Sequence, residues 1–146
     1  MEDKKISKLL IQSMNNYQNL IKATNSDRYK NGKVLTKKQF FTLSEIQKCG
    51  KIELKNLSKE LYVSTSSLCI LLNKLVELGY VYREEDLNDR RNTFYGITSK
   101  GEVIVKQEID KFMKIINDKI DKLDEQKKRE LEESLQKTTD ILKEIL

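Results

Sequence analysis

The chain has 146 residues, 38% hydrophobic and 35% charged, enough for one domain with a core of its own. It holds no proline and five glycines, which favours long helices over an all-β design, and no histidine, which removes the commonest general base and metal ligand and speaks against an enzyme. The net charge of +5 is uneven: Lys and Arg outnumber Asp and Glu 7 to 3 in residues 1–35 and 11 to 8 in residues 36–101, but are 10 against 12 in residues 102–146.

Ile6, Leu9, Leu10, Met14, Tyr17 and Ile21 recur at helical spacing and predict a helix over about residues 4–24. The polar stretch from Asn25-Ser26-Asp27 to Asn31-Gly32-Lys33 reads as a loop. Thr36 and Gln39 form a capping box for a second helix, whose apolar residues Phe40, Leu43 and Ile46 run to a stop at Cys49-Gly50. Ile52 to Leu54 suits a small strand. Leu54, Leu57 and Leu61 mark a short helix, and Ser64 can cap the next, on which Leu68, Leu71, Leu72 and Leu75 share one stripe. Gly79 suits the left-handed position that ends it. Two short helices joined by a tight turn, the second rich in small polar residues at its start, fit a helix-turn-helix.

Two strand-like runs follow, Gly79 to Arg83 and Asn92 to Ile97, around a charged tip that contains Asp89, Arg90 and Arg91. A helix-turn-helix followed by such a hairpin is the sequence form of a winged helix. Ser99 to Glu102 reads as a second capping box. It opens a long helix with Val103, Ile104, Ile109, Phe112, Ile115, Ile116 and Ile120 among its apolar residues, and Asp124-Glu125 starts a last helix to Leu146. The expected fold is mainly α with a small β-wing: a winged helix-turn-helix at residues 35–101, within a single domain 1–146, flanked by terminal helices at 1–34 and 102–146.

Those outer helices bear more apolar surface than the centre can cover, which predicts a twofold dimer. The expected interface includes Ile6, Leu9, Leu10, Met14, Tyr17, Leu131, Leu135, Leu142, Ile145 and Leu146. No apolar run nears the roughly 18 residues of a membrane span, and the polar first residues are unlike a signal peptide. A cytoplasmic, nucleoid-associated protein without membrane contact is expected. Cys49 and Cys69 have no clustered partners for zinc, and a disulfide is not expected in that compartment; no metal or cofactor is anticipated.

The central segment resembles the multiple-antibiotic-resistance regulator (MarR) family of winged-helix transcription factors. The resemblance rests on Leu35 to Phe40 with Leu43, Leu54 to Leu61 (LKNLSKEL), Val63 to Leu68, Leu75 to Arg83 (LVELGYVYR), and Asp86 to Gly101, with its D-x-x-D-x-R wing and apolar-Thr-x-x-Gly exit. Asp89 and Arg91 match the family's wing pair, whereas Leu87 stands where many relatives have proline. Ile70 stands near a position where many relatives have arginine.

The residues expected to meet double-stranded DNA follow from physical chemistry. Ser64, Thr65, Ser66 and Ser67 offer hydroxyls and amides at a helix N-terminus, suited to phosphate. Cys69, Ile70, Asn73 and Lys74 project away from the leucine stripe; Asn73 can read adenine, Lys74 phosphate or guanine, and Ile70 a thymine methyl. Lys38, with Lys37, Lys55 and Lys59, suits the backbone, and the family match adds Arg83. Arg90 and Arg91 can reach a phosphate or a minor groove, with Asp89 pairing one of them and fixing its direction.

The resemblance implies a dimeric, sequence-specific regulator on a palindromic operator. It further implies a repressor relieved when a small aromatic or amphipathic ligand binds between the dimerisation and DNA-binding regions. Two alternatives stay open: a protein–protein interaction module with weak or no specific DNA binding, and a thiol-based redox sensor using Cys69 at a helix N-terminal turn. Oxidant-sensing relatives usually carry the reactive cysteine in the first helix, where residues 1–24 have none.

Overall fold

The computed structural model describes residues 2–30 and 35–146. In chain order the elements are α1 (Glu2–Lys30), α2 (Lys37–Cys49), β1 (Lys51–Glu53), α3 (Leu54–Leu61), α4 (Thr65–Glu77), β2 (Val81–Glu85), β3 (Thr93–Ile97), α5 (Ser99–Ile120) and α6 (Glu125–Leu142). They fall into two compact units, Asn31–Lys111 and Met1–Lys30 with Phe112–Leu146, so that α5 contributes to both. The architecture is the expected one, mainly helical with a small sheet. None of the described helices is long and apolar enough to cross a membrane.

In the first unit, α2, α3 and α4 surround a core of Leu35, Leu43, Ile46, Leu57, Leu68, Leu72 and Leu75, all essentially inaccessible. Each such leucine contributes roughly 1.5–3 kcal/mol through burial. The sheet runs in the order β1-β3-β2, antiparallel throughout. Its register pairs Ile52 with Tyr95 and Val81 with Ile97, placing buried Ile52, Val81 and Tyr95 on the same core. The predicted capping box of α2 is present: Gln39 N–H donates to Thr36 Oγ1 at 3.1 Å and Thr36 N–H to Gln39 Oε1 at 2.9 Å.

Two helix ends share one device. Gly79 has φ +78°, and the Tyr80 and Gly79 amides donate back to Leu75 and Val76 carbonyls, the paired bonds of a Schellman motif. At the end of α3 the Val63 and Tyr62 amides bond Ser58 and Lys59 carbonyls in the same pattern. There the left-handed residue is Tyr62, φ 54°, where glycine is usual.

Several element edges differ from expectation. α1 continues through Asn25, Ser26 and Asp27 to Lys30, because Thr24 is buried and Asp27 pairs with Lys119 at 2.9 Å. These tertiary contacts outweigh the loop preference of the polar run; residues 31–33 of the expected loop lie outside the described residues. The strands begin two residues and one residue later than the runs suggested. The cap of α5 is Thr98, not Ser99: Gly101 N–H donates to Thr98 Oγ1, which itself donates to the Gly79 carbonyl at 2.6 Å. With glycine three residues on, no reciprocal capping box forms there. α6 is capped by Asp124 as expected but ends at Leu142, short of Leu146.

Within the second unit, α6 contains no buried residue. Ile6, Leu9, Met14, Tyr17, Leu131, Leu135, Ile145 and Leu146 are exposed, while Leu10 and Leu142 are half-buried.

Candidate nucleic-acid interface

α4 displays two faces. Leu68, Leu72 and Leu75 are buried, whereas Thr65, Ser66, Ile70, Asn73 and Lys74 are exposed on the other side. Ile70 is 74% exposed, which is unusual for an isoleucine with a core alongside. Cys69 is half-buried and lies near enough to buried Tyr95 to affect it electrostatically. Burial is the main cause that pushes the Tyr95 phenol above its ordinary value, with Cys69 adding to the rise and Arg83 opposing it. Cys69 therefore sits at the edge of the exposed face rather than at its centre.

The α4 N-terminus is built by Ser64, whose Oγ accepts the Ser67 amide at 3.3 Å and donates to Ser67 Oγ at 3.0 Å. This leaves other first-turn amides, which have no acceptor inside a helix, pointing outward with the positive end of the dipole. At the far end, Lys100 Nζ donates to the Leu78 carbonyl at 3.1 Å and lies over the Tyr80 ring at 5.5 Å. A cation there complements the C-terminal end of α4. Sequence reasoning placed Lys100 in a capping box and missed this role, which depends on a contact 22 residues away in the chain. Lys74 is paired with Glu77 at 3.5 Å. Lys38 is exposed on the first turn of α2, and Lys55 and Lys59 are exposed on α3.

The hairpin β2–β3 carries the wing. Lys51 Nζ bonds Glu84 Oε2 at 2.8 Å and covers the Phe94 ring at 5.3 Å, joining β1 to β2 across β3. Glu84 holds the Lys51 ammonium above its ordinary pKa. The tip is ordered by two side chains that accept backbone amides two residues on, Asp86 from Asn88 at 2.9 Å and Asp89 from Arg91 at 3.0 Å. Asp89 thus fixes Arg91 through its backbone; among the described residues it makes no ion pair with either arginine, which corrects the expected side-chain pairing. Both arginines are exposed, and Arg83 lies 4.0 Å from Glu85 on β2. The structure brings the serines, Ile70, Asn73 and Lys74 together on α4 and Asp89, Arg90 and Arg91 on the wing tip, all in the same unit.

The sequence profile described as "MarR family" matches residues 35–93. Over 67 residues the chain is 33% identical to the HTH-type transcriptional regulator SarZ of Staphylococcus haemolyticus, covering 46% of each protein. Alignments with curated relatives span only 37% to 64% of those proteins' lengths. Among solved structures, wild-type MarR from E. coli in its apo form is 26% identical, with TM-score 0.67 and coverage of 88% of this chain and 93% of that one. FabT of Streptococcus pneumoniae, solved in complex with DNA, shares the fold at TM-score 0.58 and 24% identity, over 98% and 99% of the two chains. With the winged helix, its Asp89–Arg91 tip and these likenesses together, the chain carries a MarR-like winged helix-turn-helix segment over residues 35–93.

Proposed function

We propose that this chain is a DNA-binding transcriptional regulator that acts as a twofold dimer on a palindromic operator. The observation that carries this reading is the exposed polar face of α4 beside a wing whose tip is ordered by Asp86 and Asp89 and presents Arg90 and Arg91. In this reading Ser64 to Ser67 and Lys38 hold phosphates, Asn73 and Lys74 meet base edges, and the arginines enter flanking DNA. Arg83 reaches the DNA backbone from β2, and Ile70 takes a thymine methyl.

The exposed apolar residues of α1 and α6 support dimerisation. Two α4 helices then dock in successive major grooves about one helical turn apart. Repression relieved by a small aromatic or amphipathic ligand, through a population shift in the spacing of the two heads, completes the proposal. The protein works in the cytoplasm on the nucleoid.

Selection of bound duplexes from random DNA tests the reading, with Arg91→Ala in parallel. A palindromic site that wild type binds, with affinity falling steeply as salt rises, is the expected result. No enrichment at low salt overturns it and leaves the protein-interaction alternative. For the redox alternative, half-burial of Cys69 argues against a freely reactive thiol. Loss of DNA affinity in peroxide that Cys69→Ser abolishes would reinstate it.

A further inference from the structure

The turn between α3 and α4 holds a residue that the fold itself does not call for. Among the described residues Tyr62 is the one non-glycine with positive φ, 54°, a conformation that strains any residue carrying a Cβ. Gly79 closes α4 with the same paired bonds and without that strain. The turn is nevertheless firmly built: the Val63 amide donates to the Ser58 carbonyl at 3.2 Å, and Ser58 Oγ donates back to the Val63 carbonyl at 2.6 Å. Those bonds hold Tyr62 in its left-handed state, yet its side chain is 96% exposed and adds no packing within the chain. Strain kept at such a position, under a large ring left in water, points to a contact outside the chain.

We propose that Tyr62 is a DNA-backbone contact, its phenol donating a hydrogen bond to a phosphate beside the start of α4. Two residues on, Ser64 caps α4, and Thr65 and Ser66 are exposed in its first turn. The phenol is therefore carried at the end of the helix where outward amides and hydroxyls already suit phosphate. Lys59 and Glu60, both exposed at the end of α3, offset each other, which leaves the phenol, a neutral donor, as the group that distinguishes this turn. Glycine at the same place would make the turn and reach nothing. A contact of this kind positions the protein on the duplex without reading its sequence. This role rests on the DNA-binding function proposed above and adds to it a residue outside α4 and the wing.

Stability and affinity then part company. Tyr62→Gly keeps the urea midpoint at or above that of wild type, yet weakens duplex binding about fivefold in fluorescence anisotropy, the scale of one net hydrogen bond. Tyr62→Phe, which keeps the ring and the strain and removes only the hydroxyl, weakens binding by nearly as much with its midpoint unchanged. Both losses are equal on a selected operator and on random duplex. The slope of log affinity against log salt stays at its wild-type value, because a neutral donor displaces no counterion, whereas loss of a lysine contact lowers that slope by about 0.9. Wild-type affinity in both variants overturns the contact and leaves the ring to a protein partner. Wild-type affinity in Tyr62→Phe alone overturns hydroxyl donation, and a loss confined to the operator overturns phosphate in favour of a base edge. A lowered midpoint in Tyr62→Gly shows a structural role instead. If wild type binds no duplex even at low salt, the DNA-binding function and this contact fall together; if it binds and the variants are indifferent, the contact alone falls.

Discussion

Arg91 and Asp89 show how one side chain at the wing tip depends on another. Because the Asp89 carboxylate accepts the Arg91 amide, its contribution is geometric, and asparagine can make the same turn. Arg91→Ala is expected to weaken operator binding by about 1–3 kcal/mol, read by fluorescence anisotropy. Asp89→Ala costs less and Asp89→Asn almost nothing; equal losses in both Asp89 variants would instead show that its charge matters. Glycines divide the same way. A Cβ at Gly101 would lie 2.2 Å from the Tyr80 carbonyl oxygen, part of the rigid backbone, whereas one at Gly96 meets only the far end of the Tyr82 ring. Gly101→Ala therefore destabilises by about 2 kcal/mol or more in urea unfolding, and Gly96→Ala by much less. Tyr62, with φ 54° and a side chain 96% exposed, gives up no packing when replaced. Tyr62→Gly relieves a left-handed strain of roughly 1–2 kcal/mol, partly offset by glycine's greater freedom in the unfolded chain.

At the scale of elements, local signals were legible in the sequence and long-range ones were not. Thr36 and Gln39 make a pattern complete within four residues, so the start of α2 could be read directly; Thr36→Ala should cost about 1 kcal/mol. The end of α1 could not, since the helical state of Asn25 to Asp27 depends on Lys119, far along the chain. Likewise Thr98 and Ser99 are adjacent hydroxyl residues, and only the bond from Thr98 to the Gly79 carbonyl decides which one caps α5. The α4 face and the wing were readable because periodicity and turn chemistry place them; the left-handed state of Tyr62 was not, because turn chemistry favours glycine there. The Asp27–Lys119 pair also has a pH signature. The hydrogen bond and charge of Lys119 hold the Asp27 carboxyl below its ordinary value. Its stabilisation is present above the unfolded carboxylate pKa and is lost as pH falls through the lower folded value. Asp27→Asn should flatten this part of the acid-unfolding profile below about pH 4, monitored by circular dichroism.

At the scale of the whole molecule, the surplus apolar surface of α1 and α6 is the main evidence for partnership. Sedimentation equilibrium should give a dimer at micromolar concentration, and Leu9→Glu with Leu135→Glu should shift it to monomer and abolish operator binding. A wild-type monomer would overturn the dimer. α6 has eighteen residues, none of them buried, and a helix of that length gains little from propensity alone in water. If a second copy supplies its packing, the persistence of this segment is tied to dosage. Dilution exposes it to cleavage, because proteases act on whatever fraction is transiently open. A cell that makes too little of the chain would clear it faster, whereas a full complement would shelter itself, so abundance would behave as a threshold rather than a graded supply.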